Sequence, residues 1–279
     1  LTLEFLGDAA RVRSVTVEPV PDGVPVTRIF LAGDSTVTDQ AREPYAGWGQ
    51  MLPLFFGSGA VVANHAESGL ALSSFRGGRR LDKILAQLRP GDFVLIQFGH
   101  NDQKAKAAAA GAFDGYTTAL VEFVERIRSR GGKPVLVTSV ARRRFDDAGT
   151  VIESLGEFPE AVRRVASAEG VPLIDLNAVS KRLYQALGVE GSKALFLHVP
   201  ANTYPGQTDP IRDDTHFSNY GAYEIARCVV EQIRDGVPEL ASLLAADAAR
   251  PFDPSRPDPL DAVAIPASPF EVLAVPDGR

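Results

Sequence analysis

The sequence predicts an α/β protein: three layers, with helices on both faces of a parallel five-stranded sheet. Two observations carry this. From Val26 onward, short apolar runs alternate with longer segments of helical period, the pattern of successive βα units. Three of the runs, Ile29-Phe30-Leu31, Val94-Leu95-Ile96 and Val135-Leu136-Val137, are apolar without alternation, as strands are when helices cover both faces.

Taken along the chain, residues 1–25 hold Val12, Val15 and Val17 among polar neighbours, then Pro19, Pro21, Asp22, Gly23 and Pro25, which reads as one strand and a linker. A lone strand is not stable by itself. It is expected either to edge the main sheet or to end an upstream β domain, and an opening residue of Leu1 rather than Met agrees with an upstream portion. The main domain is expected over 26–250, with strands at 28–32, 60–64, 93–97, 134–139 and 173–175. Helices are expected around 50–56, 79–88, 116–130, 159–169, 178–187 and 219–234. In the third of these, Ala119, Leu120, Phe123, Val124 and Ile127 recur at three and four, and Glu122, Glu125, Arg126 and Arg128 take the outer face. Gly131-Gly132 closes that helix and Pro134 opens the next strand. Residues 251–279 form a proline-rich tail that excludes regular helix, and Phe252, Leu260, Val263, Ile265, Phe270 and Leu273 imply that it packs along the domain.

Composition narrows the function. With 279 residues, 45% apolar and 23% charged, the chain can bury a full core. A net charge of -6 leaves no basic field for nucleic acid or an anionic membrane, and no apolar run approaches the roughly 18 residues that span a bilayer. The one cysteine, Cys228, excludes internal disulfides and cysteine-rich zinc sites. His65, His100 and His198 are too scattered for a metal-ligand pattern, so no metal and no cofactor are expected. No Gly-x-Ser-x-Gly elbow, phosphate-binding loop or dinucleotide fingerprint is present.

Open α/β sheets bind ligands beyond the carboxyl ends of their strands. Four reactive clusters fall there: Gly33-Asp34-Ser35-Thr36, Asn64-His65-Ala66-Glu67-Ser68-Gly69, Phe98-Gly99-His100-Asn101-Asp102, and Asp213-Asp214-Thr215-His216 in a loop ahead of the last helix. A serine becomes a nucleophile when a base takes its proton and a third group orients the base. Ser35, His216 and Asp213 have those chemistries. The Ser35 N–H at a helix start, a Gly69 N–H and the Asn101 amide are candidate oxyanion donors. Taken singly, Ser35 also reads as a helix N-cap, the Asp213–His216 pair as capping, and Asn101 as a turn residue. Their coincidence at one sheet edge favours the catalytic reading.

These four blocks resemble those of the SGNH, or GDSL, hydrolases. Phe30-Leu31-Ala32-Gly33-Asp34-Ser35-Thr36, Gly47-Trp48-Gly49-Gln50, the Asn64 to Gly69 and Gln97 to Asp102 blocks and Asp213-Asp214-Thr215-His216-Phe217 are similar to the rhamnogalacturonan acetylesterase branch. The resemblance implies a flavodoxin-like domain and metal-free deacylation through an acyl-serine. It makes Ser35 the nucleophile, His216 the base, Asp213 its orienting acid, and Ser35, Gly69 and Asn101 the oxyanion hole. Leu70, Ala71 and Leu72 depart from the polar or basic run that follows the second glycine in many of the branch, which bears on substrate preference. The first 25 residues also resemble the end of a β-sandwich that precedes the domain in some bacterial relatives.

The implied substrate is an acetylated pectic polysaccharide or oligosaccharide, and the implied location is extracellular or periplasmic. Arg142-Arg143-Arg144 and Arg212 are either solvated charge or holders of galacturonate carboxylates, and Trp48 and Tyr204 are candidates to stack on a sugar ring, with core burial the alternative for Trp48. The competing functions are hydrolysis of lipid, aryl or thioester acyl groups, and a non-catalytic polysaccharide-binding module. Oligomeric state is open.

Overall fold

Residues of strand β1 (Thr27–Gly33) point alternately into two separate cores, and that alternation sets the layering. Ile29 and Leu31 join Trp48, Leu52, Leu183, Ile225 and Val229 on one face; Phe30 and Ala32 join Leu72, Ile84, Leu120, Phe123 and Val162 on the other. The computed structural model describes residues 14–16, 18, 26–104, 111–204, 206–263 and 265.

Strands β1, β2 (Ala60–Asn64), β3 (Phe93–Gln97), β4 (Lys133–Val137) and β5 (Leu173–Ile174) form one all-parallel sheet in the order β2-β1-β3-β4-β5. Helices α1 (Trp48–Met51), α6 (Leu176–Gly191) and α7 (Asn219–Gly236) cover one face; α2 (Leu72–Gly77), α3 (Arg80–Gln87), α4 (Thr117–Arg128) and α5 (Phe158–Glu169) cover the other. Because β1 lies between β2 and β3, successive crossovers leave β1 in opposite directions, and the crevice that this reversal opens lies at its carboxyl end.

The expected strands and helices recur with shifted ends that have local causes. Strand β4 stops at Val137 because Thr138 and Ser139 turn their hydroxyls to Asp175 and to the Phe98 carbonyl. Helix α6 starts at Leu176, two residues early, since Asp175 caps it through the Ala178 N–H. The helix expected at 50–56 is one α turn that tightens at Leu52–Phe55 into a 3-10 turn containing Pro53. Elements that were not anticipated include the short helix α2 and an antiparallel hairpin of β6 (Phe196–Val199) and β7 (Ile211–Phe217). The hairpin corrects the expectation that Asp213 to His216 lie in a loop; they belong to a strand.

Of the first 25 residues, 14–16 and 18 are described and take neither strand nor helix; Val12, Val17 and the linker lie outside the described residues. In the tail, Phe252 is buried under the Arg227 guanidinium, and Val263 and Ile265 pack on the α7 core. Leu260 is exposed, against expectation, and Phe270 and Leu273 lie outside the described residues. Among the described residues, no helix is long and apolar enough to cross a membrane.

Candidate active site

The site begins at the turn after β1. Asp34, fully buried, accepts the Thr36 N–H and hydroxyl at one carboxylate oxygen, and its carbonyl accepts the N–H groups of Val37 and Thr38. Ser35 therefore sits on a tight turn and not, as expected, at a helix start; the next helix begins at Trp48. The chain doubles back instead. A Cβ on Gly47 would lie 2.2 Å from the Thr38 carbonyl oxygen, and one on Gly49 2.3 Å from that of Val37, so two glycines allow the return pass. Trp48 then donates its indole N–H to Gln97, and the Gln97 amide donates to the Thr36 hydroxyl. This buried relay ties the serine turn to the end of β3. It also corrects the stacking expectation for Trp48, which is 1% exposed and a core residue.

Ser35 Oγ lies 2.8 Å from His216 Nε2, and His216 Nδ1 lies 2.6 Å from Asp213 Oδ2. Residues 181 apart in sequence are thus joined in one hydrogen-bonded series. The other Asp213 oxygen accepts the backbone N–H groups of Thr215 and His216. Burial alone pushes the Asp213 carboxyl up, but these bonds and the imidazole's charge bring it down to about 2, so it stays ionised beside the imidazole. Tyr45 packs edge-on against His216, ring centroids 5.7 Å apart; sequence reasoning missed it, and the only signal was its place just before the Gly-Trp-Gly-Gln block.

The two remaining candidate donors follow β2 and β3. Glu67 N–H donates to the Gly33 carbonyl, so the segment after β2 runs beside the end of β1. Gly69 there takes φ +83°, a conformation that favours glycine, with nothing within 4 Å of where a Cβ would stand. On the other side, Asn101 donates to the Leu70 carbonyl with one amide hydrogen and retains a second. Asp102 accepts the Leu72 N–H, and its other oxygen is buried without a partner. Burial, with the nearby Asp34 charge, pushes its carboxyl up to about 7 against the pull of the Leu72 N–H. His100, also buried, faces Asp34 through Nδ1 at 3.3 Å.

The arginine run separates. Arg142 is half-buried and donates to Gln103, to the Ser154 carbonyl and to the His100 carbonyl. Burial lowers its affinity for the proton, opposed by the charges of Asp34 and Asp213. Arg143 spends its guanidinium on Asp214, Ser192 and the Val189 carbonyl, with its side chain 9% exposed, so it faces protein and not the solvent that substrate would come from. Arg144 is exposed. Arg212 is also exposed and, by strand alternation, on the opposite face from Asp213. Tyr204 is half-buried, its hydroxyl pushed up by burial and by the charge of Glu43, which accepts from Asn219 at the start of α7.

A three-layer α/β/α sheet whose carboxyl edge carries a serine, a histidine and an aspartate bonded in series defines the SGNH class of ester hydrolase. The chain belongs to the GDSL-like Lipase/Acylhydrolase family, which it matches over residues 31–222. It is 44% identical to the rhamnogalacturonan acetylesterase RhgT of Bacillus subtilis over 76% of this chain and 91% of that one. It is 32% identical to the probable rhamnogalacturonan acetylesterase YesY of the same organism, over 77% and 97%. Among solved structures, the Bacillus subtilis protein YxiM superposes with a TM-score of 0.64 at 26% identity, covering 76% of this chain and 57% of that one.

Proposed function

We propose that the protein removes O-acetyl groups from acetylated rhamnogalacturonan, a pectic polysaccharide, through an acyl-serine intermediate. The observation that carries this reading is the series Ser35, His216, Asp213, in a chain 44% identical to a rhamnogalacturonan acetylesterase. Ser35 Oγ attacks the acetyl carbonyl carbon as its proton passes to His216 Nε2. Asp213 holds the Nδ1–H and opposes the charge that forms on the imidazole. The carbonyl oxygen, now negative, is received by the N–H groups of Ser35 and Gly69 and the amide of Asn101. His216 gives the proton to the departing sugar oxygen. Water then attacks the acyl-serine by the same route, releasing acetate and restoring Ser35.

For substrate contact, the reading keeps Arg142 and Tyr204 and drops Arg212, which alternation puts on the opposite strand face from Asp213. Arg142 is supported by its bond to the His100 carbonyl, next to Asn101, and a guanidinium pairs well with a galacturonate carboxylate. Tyr204 is supported by being only half-buried, which leaves ring surface that can stack on a sugar. Because the polymer lies outside the cell that degrades it, we place the enzyme in pectin degradation outside the cytosol, secreted or periplasmic; recovery from the cytosolic fraction alone would contradict this.

The test is acetate release from acetylated rhamnogalacturonan, pectin and xylan, with p-nitrophenyl acetate and octanoate as small-ester controls. Preference for rhamnogalacturonan and acetate is expected. Faster turnover of octanoate would move the protein to the lipid-ester side of its family.

A further inference from the structure

The hairpin that carries Asp213 and His216 is irregular at those residues. Phe196 pairs with Phe217 and Leu197 with Asp213, so Asp214, Thr215 and His216 have no partner on β6. Such a bulge re-aims a side chain, but it also frees backbone groups that must be satisfied and a segment that must be held. Asp213 satisfies two of them from inside, the N–H groups of Thr215 and His216.

From outside, the bulge is gripped at Asp214. The Arg143 backbone N–H donates to the Asp214 carbonyl at 2.8 Å, and the Arg143 guanidinium donates to Asp214 Oδ1 at 2.9 Å. His198 Nε2, on β6, reaches the same oxygen at 2.8 Å. The remaining Arg143 nitrogens are anchored on Ser192 Oγ and the Val189 carbonyl, where α6 ends. The turn that follows the Gly188 break in α6, the arginine, the bulge and the imidazole are therefore connected in one line.

We propose that Arg143, Asp214 and His198 form a clamp that positions His216 against Ser35, and that Arg143 acts through this clamp and not on substrate. The proposal rests on the reading of Ser35 and His216 as the reacting pair. A bulge free to shift by about an ångström would lengthen the Ser35–His216 bond, and misplacement on that scale costs up to roughly 100-fold in rate.

The experiment compares Arg143→Met, Asp214→Ala and Asp214→Asn with the wild type on p-nitrophenyl acetate, which has no uronate carboxylate, and on acetylated rhamnogalacturonan. Active sites are counted by titration with a serine-directed phosphonate. Turnover per titrated site is expected to fall roughly 10- to 100-fold in Arg143→Met and Asp214→Ala, by the same factor on both substrates, with KM for the small ester little changed. Asp214→Asn, which keeps an acceptor oxygen, should recover part of the loss. The Asp214 side chain is 47% exposed, so its variants test the clamp even if Arg143→Met fails to fold. Wild-type turnover per site on p-nitrophenyl acetate would overturn the proposal, whether the polymer rate fell, as for a substrate-binding arginine, or only the number of titratable sites fell, as for a purely structural clamp. Failure of the underlying reading would look different: Ser35→Ala would then keep its activity.

Discussion

The two halves of the site are held by different forces. On the sheet side, the turn carrying Ser35 is fastened by neutral and charged hydrogen bonds among residues with almost no exposure: Asp34 and Thr36 at 0%, Gln97 and Trp48 at 1%. On the hairpin side, Asp213 and His216 keep 25% and 26% of their side-chain surface, and Asp214 47%. The first half is set by strand register and burial, which salt hardly touches. The second is set by the Arg143–Asp214 pair and by carboxylate–imidazole hydrogen bonds that water and salt can reach in part. A nucleophile needs a fixed backbone for its oxyanion hole, whereas the base must accept and release a proton, and partial access to water suits that exchange.

Variants can break the two halves separately. Ser35→Ala removes the atom that joins them and should lower kcat for p-nitrophenyl acetate by on the order of 10⁴ or more, with the melting temperature nearly unchanged. Asn101→Ala leaves the series Ser35, His216, Asp213 intact and removes one oxyanion donor, so kcat should fall roughly 10²- to 10³-fold while KM holds.

Acid and alkali should sharpen the comparison, because the two halves respond with opposite sign. Asp213 has a folded-state pKa of about 2 against an ordinary 3.8, so its contribution is present above pH 4 and is lost as pH falls toward 2. That contribution is on the order of 2 kcal/mol, and Asp213→Asn should flatten the acid limb of a stability curve measured by urea unfolding. Asp102, behind the sheet-side turn, is raised to about 7, so the folded state holds a proton that the unfolded chain releases. Stability should decline as pH climbs from about 4 through 7, and Asp102→Asn, which keeps an acceptor for the Leu72 N–H, should remove part of that decline. Glu224 on α7, raised to about 7 by burial and by the charge of Asp258, adds a decline of the same sign; Glu224→Gln separates it.

The smallest effect is expected at Tyr45. Its ring packs edge-on against the His216 imidazole, so Tyr45→Phe should be silent and Tyr45→Ala should lower kcat/KM by only a few-fold. A loss in Tyr45→Phe as large as in Tyr45→Ala would assign the work to the hydroxyl and not to the ring.

Much of the sheet side was legible because its signals are local. Ile29-Phe30-Leu31 and Val94-Leu95-Ile96 can be covered on both faces only inside a parallel sheet, and the residues after each run must then emerge at one edge. The hairpin was not legible. Ile211 to Phe217 carries Arg212, Asp213 and Asp214, types that are poor in strands, and its pairing with Phe196 to Val199 crosses an eleven-residue connection that no periodicity reveals. Helix α2 is only six residues long, too short for a helical period to stand out. Trp48 and Arg143 illustrate the same limit from the other side: both have chemistry that fits a sugar or a uronate, and both are used internally.

What the sequence by itself determined was the alternation of apolar runs and amphipathic helices, and the side-chain types able to attack, protonate and stabilise an ester. Hydrophobic period and functional-group chemistry belong to each segment, so they are readable before folding. That Arg143 turns to Asp214, that Trp48 is core, and that Asp102 holds its proton near neutrality were decided by the tertiary structure alone. Burial, field and hydrogen-bond partners come from residues tens to nearly two hundred positions away, and they exist only once the strands are in register.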